Sequence, residues 1–413
     1  MIKKSFYLLW GSQTISSIAD IIYLMTVISF VFGNTNSLLS TVIVPLIRFC
    51  SQAISGLVFP FVVSRFRLSK VLVIAQLSQF SIFSCLMIYY FFSGSIPLTI
   101  LFLLIFLISF FDGWVKPCRN SLIPRLASKD ALVKVNGLVS TSDQIIKCSS
   151  WAFSGVLVIM LGTFNSMVIV LVALFIAMLL AFWIKDHTDI DSKISNVKAS
   201  KWSQFAEGWK ISFQDKKTRT VFMVDAIDTI GGTAWIGAFV LAFCVQVLHK
   251  DESWWGMMNG SFFAGSILGG MLVVSISKFF NNRKFPLMLW GLGIYATIAA
   301  IFAFNINPFV AMALMFLMGL PIQVTAVIRK TLLQENVHEV KLPKVMSCLE
   351  VVNNVVFSAS LLSLGWVADT FGITVIYVIA AVATLVSVAI GILARSNFIE
   401  QKTEALQREA MRY

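Results

Sequence analysis

Ionisable side chains set inside long apolar runs are the residues of this sequence best suited to chemistry. Asp20, Arg48, Asp143, Lys147, Asp225, Asp228 and Glu350 each occupy such a run. An ionised side chain at the centre of a membrane helix costs about 2.5–3.5 kcal/mol on insertion scales, so each calls for a partner, a wet cavity or a proton. Asp20 follows Lys4 by 16 residues, and Arg48 precedes Ser64 by 16. At the helical rise both reach roughly 24 Å from the same membrane face, on consecutive antiparallel helices. They are expected to pair, either as a fixed link between helices or as a couple that opens when Asp20 takes up a proton or a cationic cargo. Asp143 and Lys147 stand four apart with the acid N-terminal, the favourable order for an intrahelical pair. Asp225 and Asp228 share one helix face, about 9 and 14 Å in from Arg219. Two like charges so close resist ionising together, which suits a proton carrier or a cation-attracting vestibule. Asp225 is shallow enough to be a solvated helix end, so Asp228 is the stronger coupling residue, and Glu350 is a weaker one. Asp112 is expected to bridge Lys116 and Arg119 at a helix end, and Asp369 to lie at the outer surface.

The elements that must carry these residues follow from composition. The chain has 413 residues, 58% hydrophobic and only 13% charged, with a mean hydropathy of +0.86. Soluble domains hold about 25% charged residues, so a soluble enzyme is excluded. Unbroken apolar stretches such as Leu98 to Phe111 lack the alternation of a transmembrane barrel. The expected fold is therefore an all-α membrane protein of 12 transmembrane helices. The spans are read near 5–32, 38–63, 70–92, 96–115, 135–161, 166–184, 219–248, 253–277, 285–306, 308–328, 345–368 and 372–394. Lys3 and Lys4 ahead of an apolar run resemble a signal peptide, but the run is too long for one and is read as the first helix. With the N-terminus inside, all but three of the 32 basic residues fall in inside segments. The exceptions are Arg48, Lys147 and Lys250. That bias places both termini in the cytoplasm and assigns the net charge of +12 to topology and anionic lipid rather than nucleic acid.

The longest polar gap divides the chain into an N-terminal six-helix bundle (1–184), a linker (185–218), a second bundle (219–394) and a tail (395–413). Within the linker Trp202, Phe205, Trp209 and Phe213 recur at helical spacing among lysines, predicting an interfacial amphipathic helix that straps the halves together. The halves correspond at an offset of 210 residues: Arg119 with Arg329, Leu122 with Leu332, Gly155 with Gly365, Gly162 with Gly372. Each arginine is read as following the fourth span of its half. Such duplication is expected of two parallel six-helix bundles with a substrate site between them near the midplane. Small residues in spans are expected to serve packing, as in Gly256, Gly260, Gly265 and Gly269, with Gly231-Gly232 also readable as a hinge. Trp151, Trp235 and Phe239 lie in spans expected to line the cavity and stack on cargo. His187, His249 and His338 are far apart and the six cysteines form no close pair, so neither a metal nor a cofactor is expected.

Several stretches carry a family resemblance. Phe6-Tyr7-x-x-Trp10-x-x-Gln13 with Ile18-Ala19-Asp20, Asp112 with Pro117 and Arg119 before Leu122-Ile123-Pro124, and Thr331-Leu332-Leu333-Gln334-Glu335 before Val345-Met346-Ser347 resemble the major facilitator superfamily. Within it they are similar to the macrolide-efflux and enterobactin-exporter branch. The resemblance implies the two-bundle major facilitator fold over essentially the whole chain, with Arg65, Lys70, Asp112, Arg119 and Arg329 as cytoplasmic gate residues. Two departures stand out. The family's loop between helices 2 and 3 has an acid where Ser64 stands here, before Arg65-Phe66-Arg67-Leu68-Ser69-Lys70, so the charge latch lacks its carboxylate. The Gly-Pro that antiporters carry on helix 5 is replaced by Ser149-Ser150-Trp151.

The function so implied is secondary-active export of an amphipathic drug or antibiotic, as in multidrug or macrolide resistance. The expected mechanism is alternating access with proton antiport, in a bacterial-type plasma membrane, by a monomer. The mid-membrane Arg48 and Lys147 leave room for an anionic siderophore as the alternative cargo. A lipid flippase is the alternative from another class, because a wide apolar cavity accepts acyl chains. No Walker-type phosphate loop is present, so ATP is not consumed. An embedded enzyme is disfavoured by the absence of a histidine cluster, a metal-ligand set or a serine elbow.

Overall fold

The computed structural model describes residues 2–35, 38–186 and 201–398. Among them regular structure is helical, save one isolated bridge between Ile2 and Ala127. The first helices are α1 (Lys4–Thr35), α2 (Leu38–Val63), α3 (Leu68–Ser93), α4 (Leu98–Leu126) and α5 (Leu132–Phe182). The linker forms α6 (Lys201–Gln214), followed by α7 (Lys216–Thr233), α8 (Gly237–Gln246), α9 (Glu252–Ser275) and α10 (Ser277–Asn282). The chain ends in α11 (Lys284–Ala303), α12 (Pro308–Asn336), α13 (Leu342–Phe371) and α14 (Ile373–Leu393). Ten segments among the described residues are long and apolar enough to cross a membrane, and the bent pair α7 and α8 makes an eleventh. The span read at 135–161 is the first part of α5. This is an all-α, multi-pass membrane protein. Residues 187–200 of the linker, the tail beyond 398 and the side chains of Trp151, Trp202 and Phe205 lie outside the described residues.

Two glycines at the repeat offset make the same backbone break. Gly162 interrupts α5 with φ 74° and ψ 169°, and Gly372 separates α13 from α14 with φ 89° and ψ 156°. That region is open essentially to glycine alone, so Gly162 and Gly372 share a conformation as well as a spacing. Other helix ends are fixed by capping. Asn307 accepts from the amides of Phe309 and Val310 at 2.9 and 3.3 Å, with Pro308 in the first turn of α12. Asp251 caps α9, and bonds from the Ser253 hydroxyl and the Trp254 and Ser253 amides hold its carboxyl below the usual range.

The span read at 219–248 is two helices. It breaks at residues 234–236, and its parts meet at 42°. Gly231 lies before that break in a close approach of α7 to α14, where a Cβ would sit 3.0 Å from the Ala380 carbonyl oxygen. Helices α4 and α12 also outrun the spans read at 96–115 and 308–328, so Arg119 and Arg329 are helical rather than in a polar stretch after a span. Both arginines bind carboxylates of the protein, which removes the reason for the helix to end before them.

The chain forms two compact units. The first comprises 1–132, 142–208 and 338–354, and the second 133–141, 209–337 and 355–413. In the first, α1, α3, α4 and the last part of α5 bury Val27, Val31, Phe83, Leu86, Leu101, Ile105 and Met167. The start of α13 joins this unit: the Ser347 hydroxyl donates to the Gly56 carbonyl at 2.5 Å and Lys344 to Glu207 at 2.7 Å. Arg125 and Asp186, each 1% exposed, form an ion pair at 2.9 Å. In the second unit the core is a ring cluster of Phe243, Phe302 and Tyr377, with Phe243 and Phe302 stacked at 4.6 Å. Burial of such rings contributes both apolar area and favourable ring geometry.

Candidate functional site

Helices α2 and α4 are locked together in a way that presents Arg48 and Asp112 to one another. The Ser51 hydroxyl donates to the Phe106 carbonyl at 2.6 Å, the Ser55 hydroxyl donates to that of Phe110, and the Trp114 indole N–H donates to the Ser55 carbonyl at 3.3 Å. Gly113 permits the approach: a Cβ there would stand 2.7 Å from Ser55 Oγ and 3.2 Å from Gln52 Cα. These serines satisfy carbonyls across the helix pair, where lipid offers no donor.

Beside this lock, four helices of the first unit enclose a cavity of about 410 Å³. Helix α1 faces it with Gln13, Ser16, Ser17, Asp20, Ile21 and Leu24, a single helical face by spacing. Arg48 and Gln52 enter from α2, Asp112, Lys116 and Arg119 from α4, and Asp143, Ile146 and Lys147 from α5. Arg48 Nη2 reaches Asp20 at 2.5 Å and Asp112 at 3.3 Å, so one guanidinium ties α1 to α4. Gln52 donates to Asp112 at 2.8 Å. Arg119 grips Asp143 with both terminal nitrogens, at 3.0 and 2.9 Å, the bidentate geometry that favours arginine. These side chains are 11–31% exposed, inside the protein yet in contact with the cavity. Lys116 and Lys147 are exposed on its wall.

The second unit holds a separate charge cluster. Arg329 reaches Asp228 at 2.6 Å and Asp225 at 3.3 Å, and the Thr384 hydroxyl donates to Asp228 at 3.4 Å. Trp235 donates its indole N–H to the Tyr295 hydroxyl at 2.6 Å and packs on Tyr377 and Phe302 at 4.9 and 5.0 Å. Phe239 packs against the same core.

The structure thus brings Asp20 and Arg48 together as their depths predict, and changes the partners of other residues. Asp112 and Arg119, read as a salt bridge at a helix end, are cavity residues bound to Arg48 and Asp143. Asp143 meets Arg119 rather than Lys147, because a planar fork on the neighbouring helix makes two bonds where an ammonium makes one. Arg329, read with the gate, holds Asp225 and Asp228. Arg65 and Lys70 are exposed at and just beyond the α2–α3 turn, and Asp369 is exposed. Glu350 lines a small polar pocket of about 10 Å³ with Gln52, Asp112, Gly113, Lys116 and Asn354. Sequence reasoning missed Gln52 altogether, took Lys116 for a partner of Asp112 rather than a cavity residue, and missed the buried Arg125–Asp186 pair outside the cavity. Gln52 is one turn beyond Arg48, and Lys116 lies between Asp112 and Arg119 on one face, so helical periodicity carried a signal for both.

Comparison with known proteins gives consistent matches. The family described as Major Facilitator Superfamily matches residues 9–249. The uncharacterised transporter YfmI of Bacillus subtilis (strain 168), of that family type, is 32% identical over 394 residues, covering 94% of this chain and 96% of the relative. YjbB of the same organism is 26% identical over 97% of this chain and 98% of its own length. Among solved structures, that of the superfamily transporter FucP gives a TM-score of 0.77 at 12% identity, covering 94% of this chain and 98% of that one. A bacterial homologue of the iron transporter ferroportin gives 0.75 at 14% identity, covering 95% and 100%. At such identities these two structures speak to the fold alone.

Proposed function

The chain belongs to the Major Facilitator Superfamily, and from that premise we propose that it is a secondary-active exporter of an amphipathic small molecule, working by alternating access in exchange for protons. The observation that carries this reading is the sharing of Arg48 by Asp20 and Asp112 on the wall of a cavity. With both carboxylates ionised the trio carries one negative charge, and a single proton neutralises it. Protonating Asp20 weakens the tie from α1 to α2, and protonating Asp112 weakens the tie from α2 to α4. Proton occupancy is thereby converted into a choice of which helices are held together, the kind of two-state element that coupling requires. Arg329 with Asp225 and Asp228 supplies a second such cluster.

The cargo class in this reading is a drug or antibiotic, in keeping with a macrolide-efflux and enterobactin-exporter type of transporter. A siderophore is the second reading, favoured by the cavity's four bases, Arg48, Lys116, Arg119 and Lys147, against three acids, Asp20, Asp112 and Asp143. The proposal includes a monomer of two six-helix halves, 1–184 and 219–394, joined by the strap 185–218, in the plasma membrane with both ends of the chain cytoplasmic. Purified protein in liposomes with an imposed pH gradient tests it, using a panel of fluorescent amphipathic dyes. Asp20→Asn is expected to abolish gradient-driven dye movement while Asp228→Asn retains it. The opposite pattern moves coupling to α7, and indifference of the wild type to the gradient refutes proton exchange.

A further inference from the structure

Lys147 lies within the first part of α5, in the stretch read from the sequence as the span 135–161, and its side chain is exposed on the cavity wall. A lone ammonium at such a place is unfavourable unless an anion or water meets it. Its natural counter-charge, Asp143 one turn earlier, has both oxygens taken by Arg119. The same cavity holds Lys116 and Arg119, which repel Lys147, and Asp143, which attracts it. Lys116 is likewise exposed on the cavity wall, and neither lysine makes a hydrogen bond or ion pair among the described residues. Asp112, one turn before Lys116, is occupied by Arg48 and Gln52. Glu350 is the remaining acid near Lys116, across the small adjoining pocket.

We propose that Lys147, assisted by Lys116, is the binding site for an anionic group of the cargo, a carboxylate or similar oxyanion. This inference rests on the transport reading above and names its substrate class. An ammonium offers three donors and no acceptor, so it selects against cationic and neutral head groups. The rest of the wall suits the body of such a molecule, because Leu24, Pro45, Phe49 and Val115 present apolar surface in the same cavity. At about 410 Å³ the space is of the size that holds small-molecule ligands.

The test is a binding measurement on the purified full-length protein, read by thermal unfolding with 1-pyrenebutyrate and with the neutral 1-pyrenebutanol. The carboxylate is expected to stabilise the wild type at concentrations roughly tenfold lower than the alcohol, as a charge-assisted hydrogen bond allows. Lys147→Met should remove that preference, Lys116→Met should reduce it, and Lys147→Arg should keep it. Melting without ligand shows whether each variant is folded, and the Lys147→Arg and Lys116→Met proteins carry the test if Lys147→Met is not. No stabilisation of the wild type by the carboxylate, equal stabilisation by the alcohol, or an undiminished preference in Lys147→Met overturns the proposal. The assay uses no proton gradient. A carboxylate preference without gradient-driven transport removes the exchange mechanism and leaves the anion site, and the converse result does the reverse.

Discussion

If Lys147 is left without a counter-charge because Arg119 takes Asp143, then releasing Asp143 must extinguish anion binding without any change to Lys147. Arg119→Gln does this. The freed carboxylate is one turn from Lys147 in the favourable orientation. A pair at 4 Å is worth about 1 kcal/mol in bulk water and about 4 kcal/mol at an effective dielectric constant of 20. Asp143 is 27% exposed on the wall of the cavity, which places the interaction toward the lower figure. A loss of about 1.4 kcal/mol corresponds to tenfold in affinity, so Arg119→Gln is expected to weaken 1-pyrenebutyrate roughly as much as Lys147→Met. Asp143→Asn strips the acid and leaves Arg119 charged, so the carboxylate should bind more tightly than to the wild type. The double variant Arg119→Gln with Asp143→Asn removes one charge of each sign and should return close to wild type. Titration of the pyrene fluorophore against the four proteins at fixed ionic strength measures this. Tighter or unchanged binding in Arg119→Gln, with weaker binding in Asp143→Asn, would refute the charge arithmetic.

Backbone strain gives a second expectation. A Cβ at Gly162 or Gly372 would touch nothing within 4 Å, so any loss in Gly162→Ala or Gly372→Ala comes from the backbone, about 1–3 kcal/mol, seen as a lower melting temperature. Gly365→Ala, in a helix with equally open space, should instead be neutral or slightly stabilising. Gly113→Val should force α2 from α4 and separate Arg48 from Asp112, so that dye transport falls sharply in protein that still inserts and purifies; normal transport would show the close approach to be dispensable. Asp186→Asn removes a buried carboxylate bound to Arg125 and is expected to cost about 3–5 kcal/mol in unfolding free energy, with much of it recovered by Arg125→Met together with Asp186→Leu. A double variant no more stable than the single one contradicts that account.

Helix number and class were legible because a bilayer imposes a length and an apolar composition on each span, and neither depends on neighbours. The internal repeat was legible for a similar reason: Gly162 and Gly372 meet the same backbone demand. Limits of elements were less so. The break between Thr233 and Gly237 carries no proline, and its Gly231-Gly232 precedes the break rather than forming it. The ends of α4 and α12 were hidden by their charges. Arg119 and Arg329 read as solvated residues past a span until the carboxylates that hold them are seen. The pairing of Asp20 with Arg48 was accessible because depth along two antiparallel helices is simple arithmetic. The burial of Arg125 with Asp186 was not, since it depends on how the end of α4 and the end of α5 meet.

Partner choice among the cavity charges follows a rule that spacing alone could not rank. Helix α4 carries Asp112 and Lys116, and helix α5 carries Asp143 and Lys147. Each pair stands at the separation and in the order that stabilise an ion pair along a helix, an effect of only about 0.2–0.5 kcal/mol. In both cases an arginine from the preceding cavity helix takes the acid instead: Arg48 of α2 takes Asp112, and Arg119 of α4 takes Asp143. A guanidinium presents donors in a fixed plane, is weakly hydrated and keeps its charge, so it gains more from a part-buried carboxylate than an ammonium does. The arginines cross-link successive helices, and the lysines are displaced from their local partners into the cavity. The two exposed ammonium groups are thus a consequence of how the bundle is tied together. Replacing Arg48 and Arg119 by lysine should therefore loosen the bundle and change cavity charge pairing at once, although the formal charge of the protein stays the same.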